Sequence, residues 1–388
     1  MASASLLHYL TDRLPAMTDL LAQLVSIESP SLAPETQGPV FDLLAEQLAA
    51  AGYAARRYAG RRSGGVLLAR PARRRRGAPL QVLIGHTDTV WPVGTLADMP
   101  LRVDQERLAG PGAFDMKGGL VLALFALQAL HDLGLEPQVT PVVLFNSDEE
   151  IGSPDSRATV ARLARIADRV LVLEPAYGPD GRLKTARKGV MGFEIVVTGK
   201  AAHAGLAPQE GVSAILELSY AVQKLFALND PARGVTVNVG VVHGGTRPNV
   251  VAAEATAQVD VRVPTAEDGR RVADAILGLQ PTLPGATVQA RLLKSTPPLE
   301  FTPRNQRLWQ VAQQAAQELG LTLDHTTAGG ASDGNTASQY TATLDGLGPV
   351  GDGAHAAHEF VYLPSLPQRA ALLALLLLAP PLDHRSRS

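Results

Sequence analysis

Hydrophobic and polar positions along the first 180 residues switch repeatedly between a helical and a strand period. Leu6 to Val25 carries apolar residues at helical spacing and predicts one helix. Val40 to Ala51 predicts another, with Val40, Leu43, Leu44 and Leu48 on one face and Gly52 as its stop. Short apolar runs follow at Val66 to Ala69, Leu80 to Ile84, Val142 to Phe145 and Val170 to Leu173. Helical patterns at Gly118 to Leu133 and Ser156 to Ala167 separate them. Strands alternating with helices in this way predict an α/β layer architecture.

The pattern changes from about residue 185. Gly192 to Thr198 reads as a strand and Val212 to Leu228 as an amphipathic helix. Gly234 to Val242 and Ala255 to Val263 read as strands, Glu267 to Leu279 as a helix and Ala286 to Leu293 as a last strand. The order β-α-β-β-α-β is that of a ferredoxin-like unit. Pro297 and Pro298 mark a boundary. After them come a helix at Asn305 to Leu319, a strand at Leu321 to Thr326 and a final helix from about Ser365. One α/β domain interrupted by a smaller one accounts for this order, with no internal repeat.

Composition narrows the chemistry. The 388 residues carry a net charge of −2, which argues against a general nucleic-acid binder. There is no cysteine, so disulfides, zinc–thiolate sites, iron–sulfur clusters and cysteine nucleophiles are excluded. A metal would have to be held by His, Asp and Glu. The first residues lack the basic start and apolar run of a secretory signal. The longest apolar run, Ala370 to Ala379, is too short to span a bilayer and reads as a buried helix. A cytoplasmic protein without a membrane segment is the expectation. The arginine run Arg73 to Arg76 reads as a solvated loop between two strands.

Candidate chemistry gathers at strand ends and glycine-rich turns. The strand Leu80 to Ile84 runs into Gly85-His86-Thr87-Asp88, whose His86 and Asp88 fall on one side of an extended chain. A ligand histidine needs its second ring nitrogen held, and Asp88 offers a carboxylate or carbonyl for that. A surface histidine beside a turn aspartate is the plainer reading. Asp115 lies in a glycine-rich turn before a helix, where it is equally a helix cap. Asp148, Glu149 and Glu150 repel one another at the end of Val142 to Phe145, unless a cation or basic side chains offset them. Because neighbouring residues on an extended chain point apart, Glu149 and Glu150 suit different tasks. Glu174 ends the next strand, and His355 and His358 lie near the C-terminus. In open α/β sheets such strand ends converge on one crevice. His and carboxylate sets without Cys suit a hydrolytic metal site.

The strings GHTDTV, GPGAFDMKGG, SDEEIGS, LEP, GKAAHAG and GAHAAHE, in this order, resemble the M20 family of dinuclear zinc peptidases, and within it the glutamate carboxypeptidase (carboxypeptidase G2-like) branch. The resemblance spans nearly the whole chain. It implies a zinc-peptidase catalytic domain, with a mixed sheet flanked by helices, over 1–184 and 297–388. A ferredoxin-like dimerisation or lid domain would interrupt it at 185–296. It implies two Zn²⁺ per chain, with Co²⁺ or Mn²⁺ as possible substitutes. His86, Asp115 and Glu174 would hold one metal, and His355, Asp115 and Glu150 the other. Asp115 would bridge both and be followed by a cis peptide bond. Two Zn²⁺, three carboxylates and a bridging hydroxide sum to neutrality, which a partly buried site tolerates. Glu149 would be the general base and Asp88 the partner of His86. His203 would polarise the scissile carbonyl, and Asn249 and Arg262 would grip the substrate's terminal carboxylate. Gly329 to Ser332, Gly330 and Ser332 included, would form a substrate-binding loop. The implied reaction is amide hydrolysis that releases a C-terminal amino acid, such as glutamate, from an N-acyl amino acid or small peptide, by a homodimer without a nucleic-acid or membrane partner. The sequence departs from the family at Ala252, where Pro is usual, and at His358, where a small polar residue is common. His355 is taken as the ligand because it stands four residues before Glu359.

Other readings compete. An N-acyl-amino-acid deacylase, of the aminoacylase or acetylornithine deacetylase kind, would use the same metal set. Gly330-Ala331-Ser332-Asp333-Gly334 fits the GxSxG nucleophile elbow, with Asp352 and His355 following as in a serine hydrolase. Arg262 alternatively pairs with Asp260 on its own strand. A non-catalytic binding protein on this fold would be expected to lose ligands or the base, and all of them are present.

Overall fold

A computed structural model describes residues 2–73 and 77–382. Most of the arginine run, residues 74–76, lies outside the described residues. The chain forms two compact units. One comprises Met1–Thr185, Phe301–Thr327 and Ser332–Ser388; the other comprises Ala186–Glu300 and Ala328–Ala331. The insertion therefore extends to Glu300, beyond the expected 296, and it reclaims four later residues.

The first unit opens with α1 (Ala2–Asp12), α2 (Leu14–Ser26) and α3 (Gly38–Ala50). The single helix expected over Leu6 to Val25 breaks at Arg13. Pro15 lacks the N–H that would continue the ladder and is tolerated only in the first turn of a new helix. A six-stranded sheet follows, built from β1 (Tyr53–Tyr58), β2 (Val66–Pro71), β3 (Leu80–His86), β4 (Thr140–Asn146), β5 (Ala167–Val172) and the short strand Ala342–Leu344. Its order is β1-β2-β4-β3-β5 and then Ala342–Leu344. Strands β4, β3, β5 and the last are parallel, and β1 and β2 form an antiparallel edge. Strand β1 was not anticipated. Its sequence YAARRY has no apolar run, because an edge strand with mostly exposed side chains needs none.

The parallel strands are buried nearly throughout, which is why they read as continuous apolar runs. Helix α4 (Gly118–Asp132) packs beneath them. The stretch Ala113–Asp132 is long and apolar enough to cross a membrane, but 89% of its most apolar window is buried. It is the core helix of this unit. A side chain at Gly119 would meet the Leu173 carbonyl at 2.0 Å, so the glycine lets the start of α4 close on the end of β5. Helix α5 (Arg157–Ala164) leads into β5.

The second unit carries β6 (Gly189–Thr198), α6 (Ala214–Phe226), β7 (Thr236–Gly244), β8 (Glu254–Val263), α7 (Ala266–Leu277) and β9 (Thr287–Thr296). Its antiparallel sheet has the order β7-β8-β6-β9, the ferredoxin-like arrangement. Phe193, Ile195, Val259 and Val261 of the sheet pack with Leu218, Leu225, Val272 and Ile276 of the two helices. The apolar face of α6 thus covers its own sheet, while Ile215, Leu216 and Phe226 stay exposed.

The chain then returns to the first unit with α8 (Pro303–Glu318), α9 (Asp333–Ala337) and α10 (Leu366–Leu378). The strand expected at Leu321 to Thr326 forms only at His325–Ala328. Helix α10 is buried along almost its whole length, and Leu372, Leu373 and Leu376 join the core around α4.

Candidate metal centre

Three adjacent parallel strands end at one edge of the sheet. His86 is the last residue of β3, Glu149 and Glu150 follow the end of β4 at Asn146, and Glu174 lies two residues past β5. Asp115 comes from the turn before α4, where the Asp115–Met116 peptide is cis. His355 comes from the loop before the strand Phe360–Tyr362, in the left-handed conformation with φ 60°. Histidine is one of the few residues with a side chain that visits this region at modest cost.

Asp115 stands between two imidazoles. Its Oδ1 is 3.2 Å from His86 Nε2, and its Oδ2 is 3.4 Å from His355 Nε2. His86 Nε2 also lies 3.5 Å from Glu174 Oε1, and His355 Nε2 lies 3.1 Å from Glu150 Oε2. The ligand atoms of His86, Glu149 and Glu174 fall within 4.8 Å of one another, as do those of His86, Asp115 and Glu150. All five expected ligands and Glu149 therefore meet in one cluster.

The protein groups alone do not balance. His86 Nδ1 donates to the Asp88 carbonyl oxygen at 2.9 Å, which leaves the Nε2 lone pair of the neutral ring facing carboxylate oxygens. A proton or a cation must sit between them. Burial opposes a charged His86, yet Asp115, Asp88 and Glu174 push its pKa well above the usual value. Asp115 and Glu150 push His355 up to about 10. Burial, then the nearby Glu174 charge, raises Glu149 well above the usual carboxylate range; burial also raises Glu150. Asp115 is held far below that range by His355 and His86, although burial opposes this. Oxygen and nitrogen donors with unmet negative charge fit divalent cations, and each histidine with its two carboxylates forms a three-ligand set.

Asp88 partners His86 through its carbonyl, one of the two ways expected. Its main-chain carbonyl orients His86, while the carboxylate Oδ1 stands 3.5 Å from the ring. That carboxylate instead accepts the Ser31 hydroxyl at 2.6 Å and the N–H groups of Glu149 and Glu150 at 3.2 Å each, so it shapes the turn that carries both glutamates. Sequence reasoning missed Ser31, and it noted Glu359 only as a spacing marker. Glu359 is fully buried and accepts the N–H groups of Gly112, Phe114 and Asp115 at 2.9 Å each, together with Trp91 Nε1 at 3.0 Å. It holds the turn that presents Asp115. No local pattern reveals this, because its partners lie 244 to 268 residues away.

The remaining expected residues sit elsewhere. In the second unit, His203 is exposed, and its Nδ1 accepts the N–H groups of Gly205 and Leu206. Its turn is joined to that of Asn249, whose carbonyl accepts the Ala204 N–H at 3.0 Å. Arg262 is paired with Asp260 through two hydrogen bonds of 2.7 and 3.0 Å, the alternative raised from the sequence. The Gly330 carbonyl accepts from Arg187. In the first unit, the serine-hydrolase reading fails. The Ser332 hydroxyl caps α9, accepting the Gly334 N–H and donating to Asp345 at 2.6 Å, while His355 faces Asp115 and Glu150 instead. Asp352 accepts the N–H of Gly353.

Replacing Glu359 with Gln puts an NH₂ group among four converging donors. Glu359→Gln should weaken cation affinity by roughly 10–100-fold, the usual cost of losing a partner behind the ligands. Competition of the variant with a graded series of chelators measures this; an unchanged affinity would show that Glu359 does not position Asp115.

Comparison with known proteins agrees with the geometry. A profile of "Peptidase family M20/M25/M40" matches residues 82–379. The chain is 32% identical over 375 residues to carboxypeptidase G2 of Pseudomonas sp. (strain RS-16), covering 95% of this chain and 90% of that protein. It is 28% identical to the succinyl-diaminopimelate desuccinylase of Verminephrobacter eiseniae, covering 88% and 91%. The aminopeptidase PepT structure from Bacillus cereus ATCC 10987 shares the fold, with a TM-score of 0.76 at 21% identity over 94% of this chain and 98% of that one. The chain belongs to peptidase family M20/M25/M40, a family of metal-dependent hydrolases.

Proposed function

We propose that this chain is a dinuclear zinc carboxypeptidase that hydrolyses the amide bond before a C-terminal amino acid, glutamate or a close relative, in an N-acyl amino acid or small peptide. The observation that carries this reading is the placement of Asp115, with one oxygen toward His86 and the other toward His355. His86 and Glu174 would hold one cation, His355 and Glu150 the other, and Asp115 both. Co²⁺ or Mn²⁺ are possible substitutes. Bound there, such cations lower the pKa of a water and polarise a carbonyl.

The chain's own residues do the rest. Glu149 takes the proton from the attacking water and delivers it to the leaving amine. His203 stabilises the oxyanion. Asn249 and Arg262 grip the free carboxylate of the leaving residue, and Gly330 and Ser332 belong to the substrate loop. The Asp260 pair uses Nε and Nη2 of Arg262, which leaves Nη1 for that carboxylate. A second reading, an N-acyl-amino-acid deacylase, is supported by the similarity to the desuccinylase. A screen of N-acyl amino acids against dipeptides separates the two.

The two glutamates should separate by substitution. Glu149→Gln is expected to keep the cations and to lose at least about 10²–10⁴ in kcat, the usual share of general-base catalysis. Glu150→Gln should instead release cation. Metal analysis beside turnover reads both, and near-normal turnover of Glu149→Gln would end this division of labour.

Hydrolysis should require a free carboxylate on the leaving residue, because the remaining Nη1 of the Arg262 guanidinium offers it a charge-assisted hydrogen bond. C-terminally amidated substrate, and Arg262→Ala with normal substrate, should both lose most of kcat/KM. Equal rates for acid and amide would leave Arg262 with its Asp260 pairing alone.

We further infer a homodimer paired through the second unit, with His203 serving the partner's site. The exposed Ile215, Leu216 and Phe226 on α6 support a pairing surface there. Mixing inactive Glu149→Gln chains with inactive His203→Ala chains should then restore activity, since half of the sites in a mixed dimer carry neither defect. No recovery after verified subunit exchange would place His203 in its own chain's chemistry.

A further inference from the structure

A cluster of arginines lies at the other end of the parallel strands. The metal ligands follow the C-terminal ends of β3, β4 and β5. At the N-terminal end of β5 there is a cavity of about 430 Å³, bordered by Arg165, Arg304, Arg307, Tyr340, Thr341 and Asp168. From Ala167 to Glu174 the chain runs roughly 20 Å at about 3.3 Å per residue, so this cavity is separate from the metal centre.

Three guanidiniums border the cavity. Arg165 Nη2 donates to the Tyr340 hydroxyl at 3.0 Å, and its guanidinium lies 4.2 Å over the Tyr340 ring. Arg304 Nη2 donates to the Ser338 carbonyl, two residues earlier on the same turn after α9. These bonds bring the two groups to one place. Arg307 follows Arg304 by three residues on α8, and side chains so spaced share a helix face. Arg304 stands in the first turn of α8, where the backbone amides add positive potential.

Among the described residues the negative side is nearly empty. Asp168 is the one carboxylate of these that lines the cavity, and its oxygens already accept the Leu382 N–H at 3.1 and 3.2 Å and lie near Arg169. Arg304 Nε is buried with no hydrogen-bond partner among the described residues. Burial also lowers the pKa of this arginine. Three guanidiniums beside one carboxylate that is already engaged leave positive charge for an anion to balance. We propose that this cavity binds a small multivalent oxyanion, a compound with two or more phosphate or carboxylate groups. The volume is within the range of small-molecule sites, about 300–1,000 Å³. The planar forks of three arginines match paired oxyanion oxygens.

The test titrates inorganic phosphate, pyrophosphate and tricarballylate into the metal-loaded full chain by calorimetry at fixed ionic strength. Arg165→Ala/Arg307→Ala removes two exposed guanidiniums with little effect on the fold, and Arg304→Lys keeps the charge but removes the fork. Anion that binds at the metal centre is unaffected by these changes, so only the component they weaken counts. The expected result is one saturable site per chain that weakens at least about tenfold in each variant, as the loss of one charge-assisted hydrogen bond predicts, with hydrolytic kcat/KM unchanged. Preference for pyrophosphate would identify phosphate esters as the ligand class; preference for tricarballylate would identify polycarboxylates. Identical isotherms for native chain and variants would overturn the proposal.

Discussion

Two imidazoles share one carboxylate, and much of the first unit is arranged around that contact. Asp115 offers one oxygen to His86 and the other to His355, with Glu174 and Glu150 completing the two sides. Without positive charge between them, lone pairs and carboxylates oppose one another in a largely buried place. The large pKa displacements of His86, His355 and Glu149 all express this one electrostatic demand. A group with so much unmet negative charge is costly to keep in a fold unless cations occupy it.

The framework answers with fixed dipoles. Asp88 gathers two N–H groups and a hydroxyl, and so sets the turn of Glu149 and Glu150. Glu359 gathers three N–H groups and an indole N–H, and so sets the turn of Asp115. Gly353 has φ 85°, and a side chain there would come within 2.8 Å of the Glu359 backbone, so the glycine lets the His355 loop close against that anchor. Buried carboxylates that bind no metal thus carry the geometry of those that would.

Much of this was legible in the sequence, for a physical reason. Parallel strands buried on both faces must be apolar along their length, so β3, β4 and β5 stood out, and the polar residues at their ends stood out against them. The βαββαβ order of the second unit followed from alternation of the two periods. What stayed hidden depends on partners far along the chain. The exposed edge strand YAARRY has no apolar signature. Glu359 looked like spacing, because its donors lie more than 240 residues away. Ser332 matched a nucleophile motif, but the pattern carries no trace of Asp345, which accepts its hydroxyl hydrogen bond. The return of Ala328–Ala331 to the second unit is likewise a tertiary fact.

The central claim is that Asp115 is shared by two cations. Crystals of the zinc-reconstituted protein, measured on both sides of the zinc absorption edge, test it directly. The account predicts two anomalous peaks per chain, one against His86 and Glu174 and one against His355 and Glu150, with the Asp115 carboxylate between them. A single peak, or peaks away from Asp115, would contradict it.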